Sequence, residues 1–298
     1  MTITALSRLP LELILLIVEH AARSGVRSDT SWVARLCLVC GVFRRVVTPI
    51  LYGHVTITSD DDDTYECLAA TSRMPNTPLV HARSVLFAYD FPEKAYTEAS
   101  FKSIARALVN VSTFAGPTIA LAELLNHVDE LTLSSAYLIE IWVLPRFVKV
   151  QNLVQTLSYL HLVCNIYRPD WNQWPDLSSY HVEYLVIDLF AERNHLGIQF
   201  INLSSMMRLA TSPPRLRRVL FRPRLVQQSD VQRTGQAVLE WATAQRDERV
   251  HIDDTFVPIG NSQSGFLWHE LDEEDSLNGR SVWLQGRQAW RPLPHTLD

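Results

Sequence analysis

Apolar residues crowd the first fifty or so positions more densely than a single buried stripe requires. From Leu9 to Ala22 the spacing predicts a helix. Ser7 stands ready as a cap, and Pro10 falls in the first turn, where a missing N–H costs nothing. Leu11, Leu13, Ile14, Leu15, Leu16, Ile17 and Val18 follow. One buried face needs apolar residues at only three or four positions in two turns. Nearly the whole circumference here is apolar, so the helix lies in mid-core or packs on two sides, one of them belonging to another molecule. A second helical stretch, capped by Asp29 or Ser31, carries Trp32, Val33, Ala34, Leu36, Cys37, Leu38, Val39 and Cys40. Gly41 weakens or bends it, Val42, Phe43, Val46 and Val47 continue it, and Pro49 is expected to stop it. Ile50, Leu51, Tyr52, Val55 and Ile57 close this module. A unit this small buries the smallest fraction of its surface, so its apolar excess implies a partner.

The pattern then changes. Asp60 to Asp63 and the turn-rich Met74-Pro75-Asn76-Thr77-Pro78 read as a solvated linker over 58–79. The acidic run is no calcium loop, because the twelfth position from Asp60 is Thr71 and the sixth lacks glycine. From residue 80 a short motif recurs: apolar, two residues, apolar, one residue, apolar. It stands at Ala82/Val85/Phe87, Val128/Leu131/Leu133, Leu157/Leu160/Leu162, Val182/Leu185/Ile187 and Leu216/Val219/Phe221. Val250 and Ile252 echo it, and Val111 near Phe114 hides a further candidate. Central positions lie 29 (160 − 131), 25 (185 − 160) and 34 (219 − 185) residues apart. Helical stretches fill the gaps at Pro117 to Asn126, Phe200 to Ala210 and Asp230 to Gln245, the last capped by Ser229. Strand alternating with helix at this period, with Asn165 three residues beyond Leu162, is similar to a degenerate leucine-rich repeat. That reading covers 80–260. The stretch 261–298 reads as a loosely ordered acidic tail whose Trp283 and Trp290 clip back onto the body.

The opening module carries a family resemblance. Leu9-Pro10-Leu11-Glu12-Leu13-Ile14-x-x-Ile17 resembles the first helix of an F-box. Leu36-Cys37-Leu38-Val39-Cys40-Gly41-Val42-Phe43-Arg44-Arg45-Val46-Val47 is similar to its second half, and Ile50-Leu51-Tyr52 to its close. The match spans residues 7 to 54, within a module drawn as 1–57. It departs from the family in a longer connection from Arg23 to Ser31 and in Gly41, where the family often has Lys or Ser. The resemblance implies a three-helix docking module that binds the Skp-family adaptor of cullin-RING ubiquitin ligases. Leu9 and Pro10 would enter the adaptor groove, and Leu13, Ile17, Val39, Cys40 and Phe43 would face or support the contact. For Leu13 and Phe43, ordinary core packing is an equal reading. The fold class expected for the whole chain is α/β: a three-helix F-box module followed by an irregular strand–helix solenoid.

Composition narrows the function. The chain of 298 residues is 47% hydrophobic and 20% charged, ample for a core. Its net charge of −5 makes it no counterion for nucleic acid or an anionic membrane. Four cysteines are no disulfide framework, and a reducing compartment fits, cytoplasmic or nuclear. Glu12 interrupts the most apolar N-terminal run, which is too short to span a bilayer and has no cleavage signature. Lysine occurs only at Lys94, Lys102 and Lys149, while Arg215, Arg217, Arg218, Arg222 and Arg224 form a basic cluster. Without interleaved aromatics beyond Phe221, that cluster reads as surface solubility or an acidic peptide contact.

Tests for catalysis come out negative. Cys37-x-x-Cys40 has metal-ligand spacing but sits among apolar residues with no second ligand pair. No nucleophile elbow, phosphate-binding glycine loop or zinc-protease motif occurs. His161 and Cys164, three apart on a strand, face opposite sides and are poorly placed for proton transfer as base and nucleophile. No enzyme activity, cofactor or metal is expected. Two functions stand: a ligase subunit that presents a target protein, or an interaction scaffold outside ubiquitination. Alternation along the repeats puts Tyr159, His161, Tyr184, Asp188, Arg218 and Arg222 on the strand surface for a target, with the two tyrosines as neighbouring anchors. The competing reading covers those tyrosines with helices or with the tail.

Overall fold

The computed structural model describes residues 9–26, 28–57, 62–87, 98–128, 131–139, 151–165, 177–190, 203–225, 227–257 and 280–290. The architecture is α/β, with nine strands, mostly parallel, among the described residues. No helix among them is long and apolar enough to cross a membrane. The chain divides into two compact units: Met1–Leu86 with Lys94–Val111, and Phe87–Glu93 with Ser112–Asp298.

The first unit opens with α1 (Leu11–Gly25), α2 (Thr30–Leu36) and α3 (Gly41–Leu51). Pro10 is the N-cap of α1 rather than its first turn, and its carbonyl accepts from the N–H groups of Leu13 and Ile14. Glu12 near the positive end of the helix dipole and the Glu19–Arg23 pair at 2.9 Å add local support. Val18, Ala22, Val33 and Val47 form the buried centre of the three helices, flanked by Ile14, Val26, Leu36, Cys37, Phe43, Ile50 and Leu51. Where the sequence suggests one bent helix there are two. Asp29 caps α2 by accepting from the Trp32 N–H, the chain turns through Cys37 to Val39, and Cys40 starts α3 afresh. Pro49 sits inside the last turns of α3, which runs on to Leu51.

Next come β1 (His54–Ile57), α4 (Asp62–Ser72), a 3-10 turn (Pro78–His81), β2 (Ser84–Phe87) and α5 (Glu98–Ala107). The expected linker over 58–79 therefore holds a helix. Ser72 Oγ lies 2.8 Å from Ser103 Oγ, and Arg73 donates to Ser100 at 3.1 Å, so α4 and α5 are tied together.

The second unit alternates strand and helix: β3 (Thr113–Pro117), α6 (Thr118–His127), β4 (Ser135–Ile139), α7 (Gln151–Thr156), β5 (Tyr159–Asn165), β6 (Tyr184–Phe190), α8 (Leu203–Ala210), β7 (Arg218–Arg224), α9 (Gln228–Gln245) and β8 (Val250–Ile252). The strands follow chain order and pair in parallel. The chain then gives α10 (Arg280–Leu284) and β9 (Arg287–Gln288), which runs antiparallel to β8. Register puts Phe114, Ala136, Leu160, Leu185, Val219 and Val250 in one buried row. A matching step recurs at the strand entrances. The carbonyls of Ser112, Ser134, Ser158 and Glu183 each accept from two successive N–H groups of the next strand's start.

The row corrects one copy of the motif. Val128 caps the C-terminus of α6, and Leu131 and Leu133 are buried ahead of the strand. The in-register pair on β4 is Ala136 and Leu138. The candidate at Val111 and Phe114 is a strand, β3. One helix end also shifts: α9 starts at Gln228, so Ser229 lies within it. The expected start of the preceding helix at Phe200 lies outside the described residues.

Candidate functional site

Two surfaces are candidates, one in each unit. On α1 the residues divide by helical angle. Ile14, Val18 and Ala22, four apart, point into the three-helix core. Leu13, Leu16 and Ile17 lie on the opposite stripe and are left to solvent, Leu13 at 45% and Ile17 at 56% exposure. Leu9 and Pro10, just ahead of the helix, are exposed too. A second set of exposed apolar side chains sits on the turn before α3, with Leu38 and with Val39 at 62%. Cys40 is exposed and its Sγ accepts from the Phe43 N–H at 3.5 Å. Phe43 differs from the rest of the set: it is half-buried and packs on the core, where it supports the turn. Cys37 packs in the same core, 4.0 Å from the Thr48 hydroxyl. A helical module that completes its core on one face leaves a second apolar surface with no occupant among the described residues.

The surface in the second unit lies on the face of β5–β7 opposite the Leu160 row. Parallel register sets Tyr159 beside Tyr184 and Tyr184 beside Arg218. The two tyrosine rings stack at 5.1 Å with planes 8° apart, Tyr159 retaining 37% exposure. The predicted neighbours are thus brought together. His161, Asp188 and Arg222, expected on the same accessible surface, are instead buried. Trp283 of the tail explains part of this. It lies 5.4 Å from the Tyr159 ring and 6.2 Å from His161, and with Val282 it packs against Val186 and Leu220. Among the described residues, Trp283 therefore covers one side of the tyrosine pair, and Tyr159 stays partly exposed.

Beneath that cover the three residues form a charge cluster. His161 Nε2 is 2.8 Å from Asp188 Oδ2, and Arg222 Nε is 3.3 Å from Asp188 Oδ1. Arg224 holds Asp253 at 2.8 Å. Burial pushes the Asp188 carboxyl up, but Arg222 and then His161 outweigh it and hold it at about 2. Burial presses the His161 imidazole below its ordinary range, against the pull of Asp188. His161 is thus neutral near pH 7 and donates from Nε2, since the ionised carboxylate can only accept. The cluster is closed on itself, with each buried charge facing an opposite one. Cys164, on the other face of β5, is a buried thiol pushed well above its usual range by desolvation. No group of three or more His, Cys, Asp or Glu side chains among the described residues is arranged to hold a metal ion.

The signal for the buried cluster was in the sequence as Asp188, Arg222 and Arg224, charged residues set inside apolar strands. Alternation assigned Asp188 and Arg222 to a face without revealing what lies over it. Set against known proteins, the sequence matches no family model and no curated protein.

Proposed function

We propose that this chain is the substrate-recognition subunit of a cullin-RING ubiquitin ligase of the SCF type. Its N-terminal helices dock a Skp-family adaptor, and through it the cullin, while its second unit presents a protein target. The observation that carries the reading is the solvent exposure of Leu9, Pro10, Leu13, Ile17 and Val39. These are the side chains that the F-box resemblance assigns to the adaptor, on helices whose core is already complete without them. An apolar stripe on a short helix fits a groove in a partner, with a few anchors carrying most of the energy. The function is then proximity: a target held near a charged conjugating enzyme reacts at high effective concentration. The reading entails a reducing, cytoplasmic or nuclear setting and no chemistry in this chain.

Co-purification of the full-length chain with the adaptor tests it. Wild type is expected to capture the adaptor, and the Leu9→Ala/Pro10→Ala variant to do so at least about tenfold more weakly, since two anchors each cost more than ~1 kcal/mol. A wild type that captures nothing, with the double variant no different, favours the scaffold outside ubiquitination.

A further inference from the structure

We propose that the sheet face around Tyr159 and Tyr184 is a peptide-binding surface, occupied in cis by residues 280–290, which an aromatic-bearing segment of a partner protein replaces. This rests on the reading of the second unit as the target-presenting part. It adds what the target offers and what holds the surface beforehand.

The footing of residues 280–290 is small. A five-residue helix and a two-residue strand make it up, and among its described side chains Val282 and Trp283 are buried while Leu284 faces solvent. The sheet beneath does not depend on it: β5, β6 and β7 pair with one another along their full length. Removing the segment bares Tyr159, Tyr184, Val186 and Leu220 as one apolar patch with Arg218 at its edge. An aromatic and aliphatic centre with an arginine rim is the usual anatomy of a protein-binding site.

What the surface reads in its own segment is mostly generic peptide. The stacked tyrosines receive an indole ring. Arg218 donates from Nη2 to the carbonyl of Gln285, two residues further on. The free edge of β8 then takes β9 as an antiparallel strand, with Ala289 N–H donating to the Val250 carbonyl at 2.9 Å. Aromatic pocket, carbonyl clamp and strand edge together recognise a peptide of one helical turn followed by a short strand rather than a small molecule. Gly286 shows how closely the segment is fitted. Its φ is +79°, and a Cβ there would lie 2.6 Å from Leu220 Cδ1 and 2.7 Å from the Ile252 carbonyl oxygen. A side chain at this position therefore collides with Leu220 and Ile252 and lifts the segment, while every residue of the surface itself stays unchanged.

The probe is a fluorescein-labelled peptide with the sequence of residues 280–290, titrated against full-length protein by anisotropy. The tethered copy competes at high effective concentration in wild type. Full-length Gly286→Ala is therefore expected to bind the peptide at least tenfold more tightly than wild type. Adding Tyr159→Ala to that variant is expected to abolish the gain. Equal affinity for Gly286→Ala and wild type overturns the proposal, provided circular dichroism shows the variant folded. If it is unfolded, hydrogen exchange on wild type decides. The amides of Gln285 and Ala289 are expected to exchange at least tenfold faster than those of Leu185 and Val219, and equal rates overturn the proposal. Adaptor capture is read at α1, so its failure alone refutes the ligase reading and leaves the peptide surface standing.

Discussion

Asp188 concentrates the electrostatic logic of the second unit. Its carboxyl is held at about 2 in the fold, against about 3.9 in an unfolded chain. The native state therefore binds fewer protons between those values, and the stabilisation is present above about pH 4 and lost as the pH falls through about 2. At 1.36 kcal/mol per unit of pKa the stake is about 2–3 kcal/mol. His161 acts in the same sense from a higher pH. Its folded value lies below the ordinary one, so the unfolded chain takes up a proton below about pH 6.5 that the native chain refuses. Asp253, held low by Arg224 against the effect of its own burial, adds to the acid limb. The urea midpoint is expected to fall between pH 7 and 5 and again below pH 4. In His161→Gln, which keeps a donor near Asp188 but does not titrate, the first fall should vanish and the second remain. A wild-type midpoint that is flat from pH 7 to 5 contradicts this account.

Elements were legible where one physical rule governed them. The Leu160, Leu185 and Val219 motifs became β5, β6 and β7, because large apolar residues at period two mark the buried face of a strand. On β4 the rule misled, since the inward position is the small Ala136, while apolar residues at the end of α6 and in the following turn mimic the spacing. The α4 helix was hidden by the acidic run at its start, which reads as linker although carboxylates suit a helix N-terminus. Glycines test this scale well. Gly116 has φ +149° and a Cβ there would sit 2.8 Å from Phe87 Cβ, so Gly116→Ala is expected to cost about 1–3 kcal/mol through strain and overpacking. Gly41 heads α3, and a Cβ there would meet nothing within 4 Å, so Gly41→Ala should be neutral or stabilise by up to about 1 kcal/mol. Equal losses in thermal or urea midpoints for the two would refute the distinction.

At the scale of the whole chain, what sequence could show was the excess and not its address. The run of apolar residues from Leu11 to Val18, broken only by Glu12, announced two buried faces, and packing spends one of them on Val33 and Val47. Likewise, period-two alternation placed Tyr159 next to Tyr184 but could not foresee that Trp283, far downstream, lies over part of that face. An unoccupied apolar stripe has a consequence for the purified protein whatever its partner. Side chains on the stripe contribute nothing to the core, so Leu13→Glu/Ile17→Glu is expected to change folding stability by no more than about 0.5 kcal/mol. Val18→Glu, one residue away on the core face, buries a charge among Ala22, Val33 and Val47 and should unfold the helices. Exposed apolar patches drive association in concentrated solution. In sedimentation velocity the wild-type chain alone is therefore expected to self-associate with rising concentration. The double variant should stay monomeric and, on the function proposed above, lose adaptor capture at the same time. If the variant associates as wild type does, the stripe is not the sticky surface, and if it unfolds as Val18→Glu does, Leu13 and Ile17 belong to the core after all.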